Sequence, residues 1–126
     1  ETVLALDGDE TRLLALAAAL QAGSEHPLAK AVLAAHGDAP RPTANEVHAV
    51  PGRGLRGTVD GRQLLLGSAR MLAEAGIETG AFATRAEALA GAGATVSWLA
   101  EAGGDGGALV GLLAFRDRPR PSAAAA

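Results

Sequence analysis

The sequence predicts an α+β fold, a mainly antiparallel sheet of about six strands flanked by two helical hairpins. Three observations predict it. Asp60-Gly61 lies between two short β-prone runs, and both residues tolerate the positive φ of a tight hairpin turn. Gly23 ends one Leu- and Ala-rich run and Pro27 starts the next, so two helices fold back on each other. The strands cluster and are joined by hairpins, which is the order of an antiparallel sheet and not of a doubly wound parallel one.

The elements follow in chain order. Residues 1–6 form a short run centred on Val3 and Leu4 and read as a strand. Asp7-Gly8-Asp9 supplies turn chemistry and a helix cap. Residues 11–22 place Leu13, Leu16, Ala17 and Leu20 at i, i+3, i+4 and i+7, a helical stripe closed by Gly23. Residues 27–35 are a second helix with Leu28, Ala31, Val32 and Ala35 on one face, closed by Gly37. Residues 38–43 hold two prolines and read as a loop. Residues 46–50, 54–59 and 63–66 read as strands. Ser68 caps a short helix that Gly76 closes, and residues 81–90 form another helix with Phe82, Ala86 and Leu89 inward. Residues 95–100 and 109–115 are the last strands, joined through the glycine-rich stretch 103–107.

Bulk composition excludes several function classes. The 126 residues suit one domain, and at this size roughly two-thirds of the unfolded surface can be buried. Hydrophobic residues make up 48% and aromatics 2%, so Leu, Val and Ala must build the core around Trp98, Phe82 and Phe115. A net charge of −3 and so few rings argue against nucleic acid, which needs a basic face and stacking platforms. There is no cysteine, which rules out disulfides and thiolate metal sites. The longest apolar run, residues 13–20, is far short of the ~20 residues of a membrane span. The chain opens on Glu1 and ends in four alanines after Ser122, so it reads as a segment of something longer with an appended tail.

Two stretches could carry chemistry. In Gly23-Ser24-Glu25-His26-Pro27-Leu28, Pro27 suits the first turn of a helix, and Ser24 or Glu25 can cap it. His26 then sits at a helix N-terminus, where free N–H groups favour an electron-rich ligand. The second stretch, Gly52-Arg53-Gly54-Leu55-Arg56-Gly57, fits G-x-G-x-x-G by pattern. Dinucleotide binding wants such glycines between a strand and a helix, and here a β-hairpin follows, so that reading is rejected. No Gly-Lys-Ser/Thr follows either, so there is no P-loop. Two readings stay open at this point: a bend before a strand, or bare backbone against which a flat or phosphorylated ligand can lie. His36 and His48 receive no role, no metal-ligand spacing occurs, and no serine sits in a nucleophile elbow.

Taken together, Ser24-Glu25-His26-Pro27-Leu28-Ala29, Gly52-x-Gly54-x-x-Gly57, Val59-Asp60-Gly61 and Leu65-Leu66-Gly67 resemble the nucleotide-binding domain of heavy-metal-transporting P-type ATPases. The stretch from Gly111 to Pro121 looks like the return into the phosphorylation domain, and Ser-Glu-His-Pro is most like the copper(I) exporters. The resemblance implies an ATP-binding domain over residues 1–117, with residues 118–126 as hinge and tail. It implies a nucleotide site of His26, Gly52, Gly54, Gln21, Gly67 and Glu25, with no catalytic and no metal-binding residue in this segment. His26 would orient the adenine ring, and Gly52, Gly54 and Gly67 would line the pocket. Gln21 stands where many members have a glutamate that contacts the adenine amino group; its amide oxygen can still accept, without the charge-assisted component. Arg53 and Arg56 read first as solvated arginines, with a contact to phosphate as the alternative. With no lysine cradle, affinity on the order of 0.1–1 mM is expected, about 4–5.5 kcal/mol.

The implied partners are ATP or ADP and the phosphorylation and actuator domains of the same full-length chain, which uses Mg-ATP. The implied place is the cytoplasmic face of the cell membrane, with this segment soluble and monomeric. The family's phosphorylated Asp-Lys-Thr-Gly-Thr motif, its Gly-Asp-Gly motif and its intramembrane metal ligands are expected outside these residues. A noncatalytic interaction or cap domain, or the same module from a zinc, cadmium or cobalt exporter, are the alternatives.

Overall fold

A computed structural model describes residues 2–5, 8–22, 27–37, 40, 42–51, 53–102 and 107–116. In chain order these form β1 (Thr2–Ala5), α1 (Glu10–Gln21), α2 (Pro27–His36), β2 (Ala44–Val50), β3 (Gly54–Val59) and β4 (Arg62–Gly67). Then come α3 (Ala69–Glu74), a 3-10 turn (Gly80–Phe82), α4 (Ala83–Gly91), β5 (Ala94–Ala102) and β6 (Ala108–Arg116). The strands make one six-stranded sheet in the order β1-β6-β5-β4-β3-β2, antiparallel at every step.

Local chemistry accounts for most boundaries. The Arg12 N–H donates to Asp9 Oδ1 at 3.0 Å, so Asp9 caps α1. The Met71 N–H donates to Ser68 Oγ at 3.3 Å, so Ser68 caps α3. Asp60 and Gly61 have φ of +52° and +78°, the pair of positive values that a type I′ hairpin between β3 and β4 demands. The stretch 103–106, read as the β5–β6 loop, lies outside the described residues, as do positions 23–26 between the two helices.

The sheet separates two cores. On one face α1 and α2 pack together, and Leu13, Leu16, Leu20 and Val32 meet Val59, Leu64, Leu66, Leu99 and Leu113. On the other face α3, Ile77 and α4 cover Leu65, Trp98, Ala100, Leu112 and Ala114, with Phe82, Ala86 and Leu89 packed against them. The run Leu64-Leu65-Leu66 thus alternates between two covered faces, which is why it is apolar throughout. An extra residue, Val110, opposes the step between Leu99 and Ala100. This bulge puts Leu109 in the second core and Val110 beside the first.

Two details depart from the periodicity of the sequence. Of the predicted α2 stripe Val32 is buried, Ala31 and Ala35 are only half-buried and the Leu28 side chain lies outside the described residues, while Ala29, Leu33 and His36 turn inward beside Val32. Alanines carry little hydrophobic contrast, and buried His36 disguised the true stripe. Strand β2 begins at Ala44 and carries a bulge between Asn45 and His48, with Glu46 at φ +53°. Opposite the bulge sits Gly57, where a Cβ would lie 2.8 Å from Leu20 Cδ2 and 3.0 Å from Val47 Cγ2. The missing side chain at 57 makes room for α1 and for the displaced strand.

Leu99 is fully buried in the sheet beneath α1. Leu99→Ala is expected to cost about 2–5 kcal/mol through lost transfer energy and a residual cavity. Denaturant unfolding measures this; a loss below about 1 kcal/mol would mean that the helical layer does not seal this face.

Candidate functional site

Three of the six residues assigned to the nucleotide site are described: Gln21, Gly54 and Gly67. Glu25, His26 and Gly52 lie outside the described residues. His26 directly precedes α2, and Gly52 directly precedes Arg53 and β3.

Gly54 and Gly67 are register partners at one end of the β3–β4 ladder. Neither position has room for a side chain. A Cβ on Gly54 would collide with the Leu66 carbonyl oxygen and stand 2.6 Å from Gly67 Cα. A Cβ on Gly67 would collide with the Arg53 carbonyl oxygen and stand 2.9 Å from Gly54 Cα. The Ser68 N–H donates to the Arg53 carbonyl at 2.9 Å, and the Arg53 N–H donates to the Val50 carbonyl at 2.9 Å. The turn before β3 is therefore laid directly on the end of β4. Backbone packing alone requires glycine at 54 and 67, so their glycine identity is no independent sign of a ligand. Buried Trp98 lies directly opposite Gly67 on the next strand.

Gln21 is the last residue of α1 and is 4% exposed. The Leu20–Gly57 approach puts this end of α1 over β3, three residues along the strand from Gly54. An amide at this position is shielded from water, which favours hydrogen bonds to a polar partner.

Arg53 is paired within the domain, neither a free solvated cation nor one left open to phosphate. Its guanidinium grips the Glu74 carboxylate at the end of α3, Nε to Oε1 at 3.0 Å and Nη2 to Oε2 at 2.6 Å. Arg70 Nε adds a contact to Glu74 Oε2 at 3.8 Å. The hydrogen bond from Arg53 holds the Glu74 carboxyl below its ordinary range, and Glu74 in turn raises Arg53. Sequence reasoning missed Glu74, since nothing local marks a partner 21 residues away.

Arg56 is exposed on the sheet face that α3 and α4 leave open over β2 and β3, opposite His48. With Glu46, Thr58, Gln63 and Ala75 these residues line an open cleft of about 300 Å³. Among the described residues there is no group of three or more side chains that could hold a metal ion, and no helix long and apolar enough to cross a membrane.

No known family profile matches the chain. The copper-transporting P-type ATPase of Rhizobium leguminosarum bv. viciae is 43% identical over 119 residues, covering 93% of this chain and 14% of that protein. The N-domain of HMA8, a copper-transporting P-type ATPase, superposes with a TM-score of 0.73 at 24% identity, covering 91% of this chain and 97% of that one. The chain belongs to the heavy-metal-transporting P-type ATPases, as their N-domain. A zinc-transporting PIB-type ATPase contains the same fold with a TM-score of 0.81 at 30% identity, over 99% of this chain and 20% of that one. The N-domain fold thus recurs in P-type ATPases named for different metals.

Two outcomes follow for this N-domain. Gly67→Ala should destabilise it by about 3 kcal/mol, the upper end of overpacking costs, because the new methyl meets main chain that cannot swing aside. Denaturant unfolding without nucleotide decides it, and an unchanged midpoint would mean that β3 and β4 are further apart. Glu74 also links the turn to pH. Its folded value is lowered, so its contribution is present above the unfolded value and is lost as pH falls through the folded one. Amide protection of residues 53–54 should therefore fall in acid, on the acid side of the ordinary glutamate range, and this acid step should be absent in Glu74→Gln.

Proposed function

We propose that this N-domain binds ATP through adenine recognition and presents it to the phosphorylation domain of a copper(I)-exporting P-type ATPase. The observation that carries the reading is the N-domain fold itself, with Ser24-Glu25-His26-Pro27 entering α2 and the Gly52-x-Gly54 stretch entering β3. In this reading His26 stacks on adenine, and the Gln21 amide oxygen accepts from the adenine amino group. The main chain at Gly52, Gly54 and Gly67 lies close against the nucleotide. Glu25 complements the helix start beside His26.

The domain supplies binding and orientation, and the chemistry belongs elsewhere. The γ-phosphate of Mg-ATP would pass to an aspartate carboxylate of the phosphorylation domain with ADP leaving, and water would later cleave that acyl phosphate to free phosphate and the carboxylate, in step with ion movement. Affinity on the order of 0.1–1 mM lets nucleotide leave within a cycle. The full-length protein is placed in the cell membrane with this domain on the cytoplasmic face. Copper(I) is favoured by the Ser-Glu-His-Pro form and by the names of relatives such as the rhizobial transporter. The zinc-transporting structure supports a second cargo, and the residues that choose between them belong to the intramembrane part of such a protein.

The test is an ATP titration that follows backbone amides. Signals around His26 and from Gly52 to Gly57 should move at millimolar ATP, and His26→Ala should weaken binding about tenfold with the fold intact. Motion confined to other amides would refute the site. No nucleotide effect on thermal stability would favour an interaction or cap domain.

A further inference from the structure

We propose that Arg53 and Glu74 form a clamp that positions the main chain at the start of β3, which makes Glu74 a positioning residue for the nucleotide loop. The link to nucleotide rests on the reading of Gly52 and Gly54 as pocket-lining; the clamp itself rests on geometry.

Glycine is needed at 54 because β4 lies too close for a side chain. The same residue type leaves the main chain there with more freedom than any other would. A site built on bare backbone must get its order from neighbours. The Arg53 amide and carbonyl are tied to Val50 and Ser68. The guanidinium adds a third tether, two parallel bonds to one carboxylate, whose planar fork geometry fixes direction as well as distance. The far end of the tether is firm: α3 is capped by Ser68 and anchored by buried Met71 and Leu72.

Exposure argues for a local role. The two side chains are 29% and 50% exposed, and pairs in such settings add little to global stability. What a bidentate pair can still do is restrict one segment between two fixed points. The pairing also neutralises Arg53, so its action on nucleotide runs through loop geometry and not through a charge offered to phosphate.

The experiment uses the chain with ATP as the probe. Amide exchange at residues 53, 54, 67 and 68 is measured beside the apparent Kd for ATP, in wild type, Glu74→Gln, Arg53→Lys, and the exchanged pair Arg53→Glu with Glu74→Arg. Glu74→Gln should speed exchange at these amides and weaken ATP about fivefold, as expected if the loop is competent roughly one-fifth of the time. Arg53→Lys keeps the charge and loses the fork, so it should fall between. The exchanged pair should recover both readouts, which a purely structural lesion would not. Unchanged exchange in Glu74→Gln overturns the clamp. Faster exchange with an unchanged Kd overturns its link to binding. Tighter ATP binding in Glu74→Gln also overturns it, because Arg53 would then be a phosphate ligand held in reserve. If wild type does not respond to ATP, the nucleotide reading falls, and amide exchange alone decides the clamp.

Discussion

The approach of two main chains at Gly54 and Gly67 is the constraint from which the candidate site is built. Each glycine occupies the space in which the other strand's carbonyl groups stand. The contact sets the turn before β3 on the end of β4, and it lets the Ser68 amide reach the Arg53 carbonyl. Ser68 is then in place to cap α3, and α3 carries Glu74 back to Arg53. Strand pairing, turn, helix start and ion pair are consequences of one close packing. A methyl group at either glycine would disturb all of them together.

The helices divide the sheet unequally. β4, β5 and β6 are covered on both faces, and Leu66, Leu99 and Leu113 meet one core while Leu65, Trp98 and Leu112 meet the other. β2 and β3 lie at one edge, with α1 over one face and, among the described residues, Val50 at the end of β2 packed against the second core on the other. The rigid centre therefore holds a less covered margin, where the glycine turn and the cleft beside Arg56 are found. This suits a domain proposed to capture a nucleotide, orient it and let it go. Binding needs accessible backbone, and accessible backbone needs a firm support behind it.

Arg53 shows how a residue can serve a site without touching a ligand. In the sequence it is a cation between two glycines, read as solvated or, alternatively, as a contact to phosphate. In the fold its charge is spent on Glu74, and its contribution is to the shape of the turn. Arg56, three residues on, points to the open side of the sheet and shares its cleft with His48 and Glu46. Two similar arginines are thus separated in role by position, one in the turn within reach of α3 and the other beside the open cleft.

The sequence by itself determined the element order, the α+β class, both helix caps and the β3–β4 turn. Each of these is settled by hydrogen bonds or φ preferences within about four residues, so Asp9, Ser68 and Asp60-Gly61 carry the instruction locally. It also determined the motifs that mark the family, because Ser24-Glu25-His26-Pro27 and the glycine stretch are contiguous. Only the tertiary structure decided the inward face of α2, the bulge at Glu46 and Val47, the adjacency of Gly54 and Gly67, and the union of Arg53 with Glu74. These depend on register and on which helix covers which face. Both are chosen by burying leucines from distant segments in common cores, a decision that no local window of residues contains.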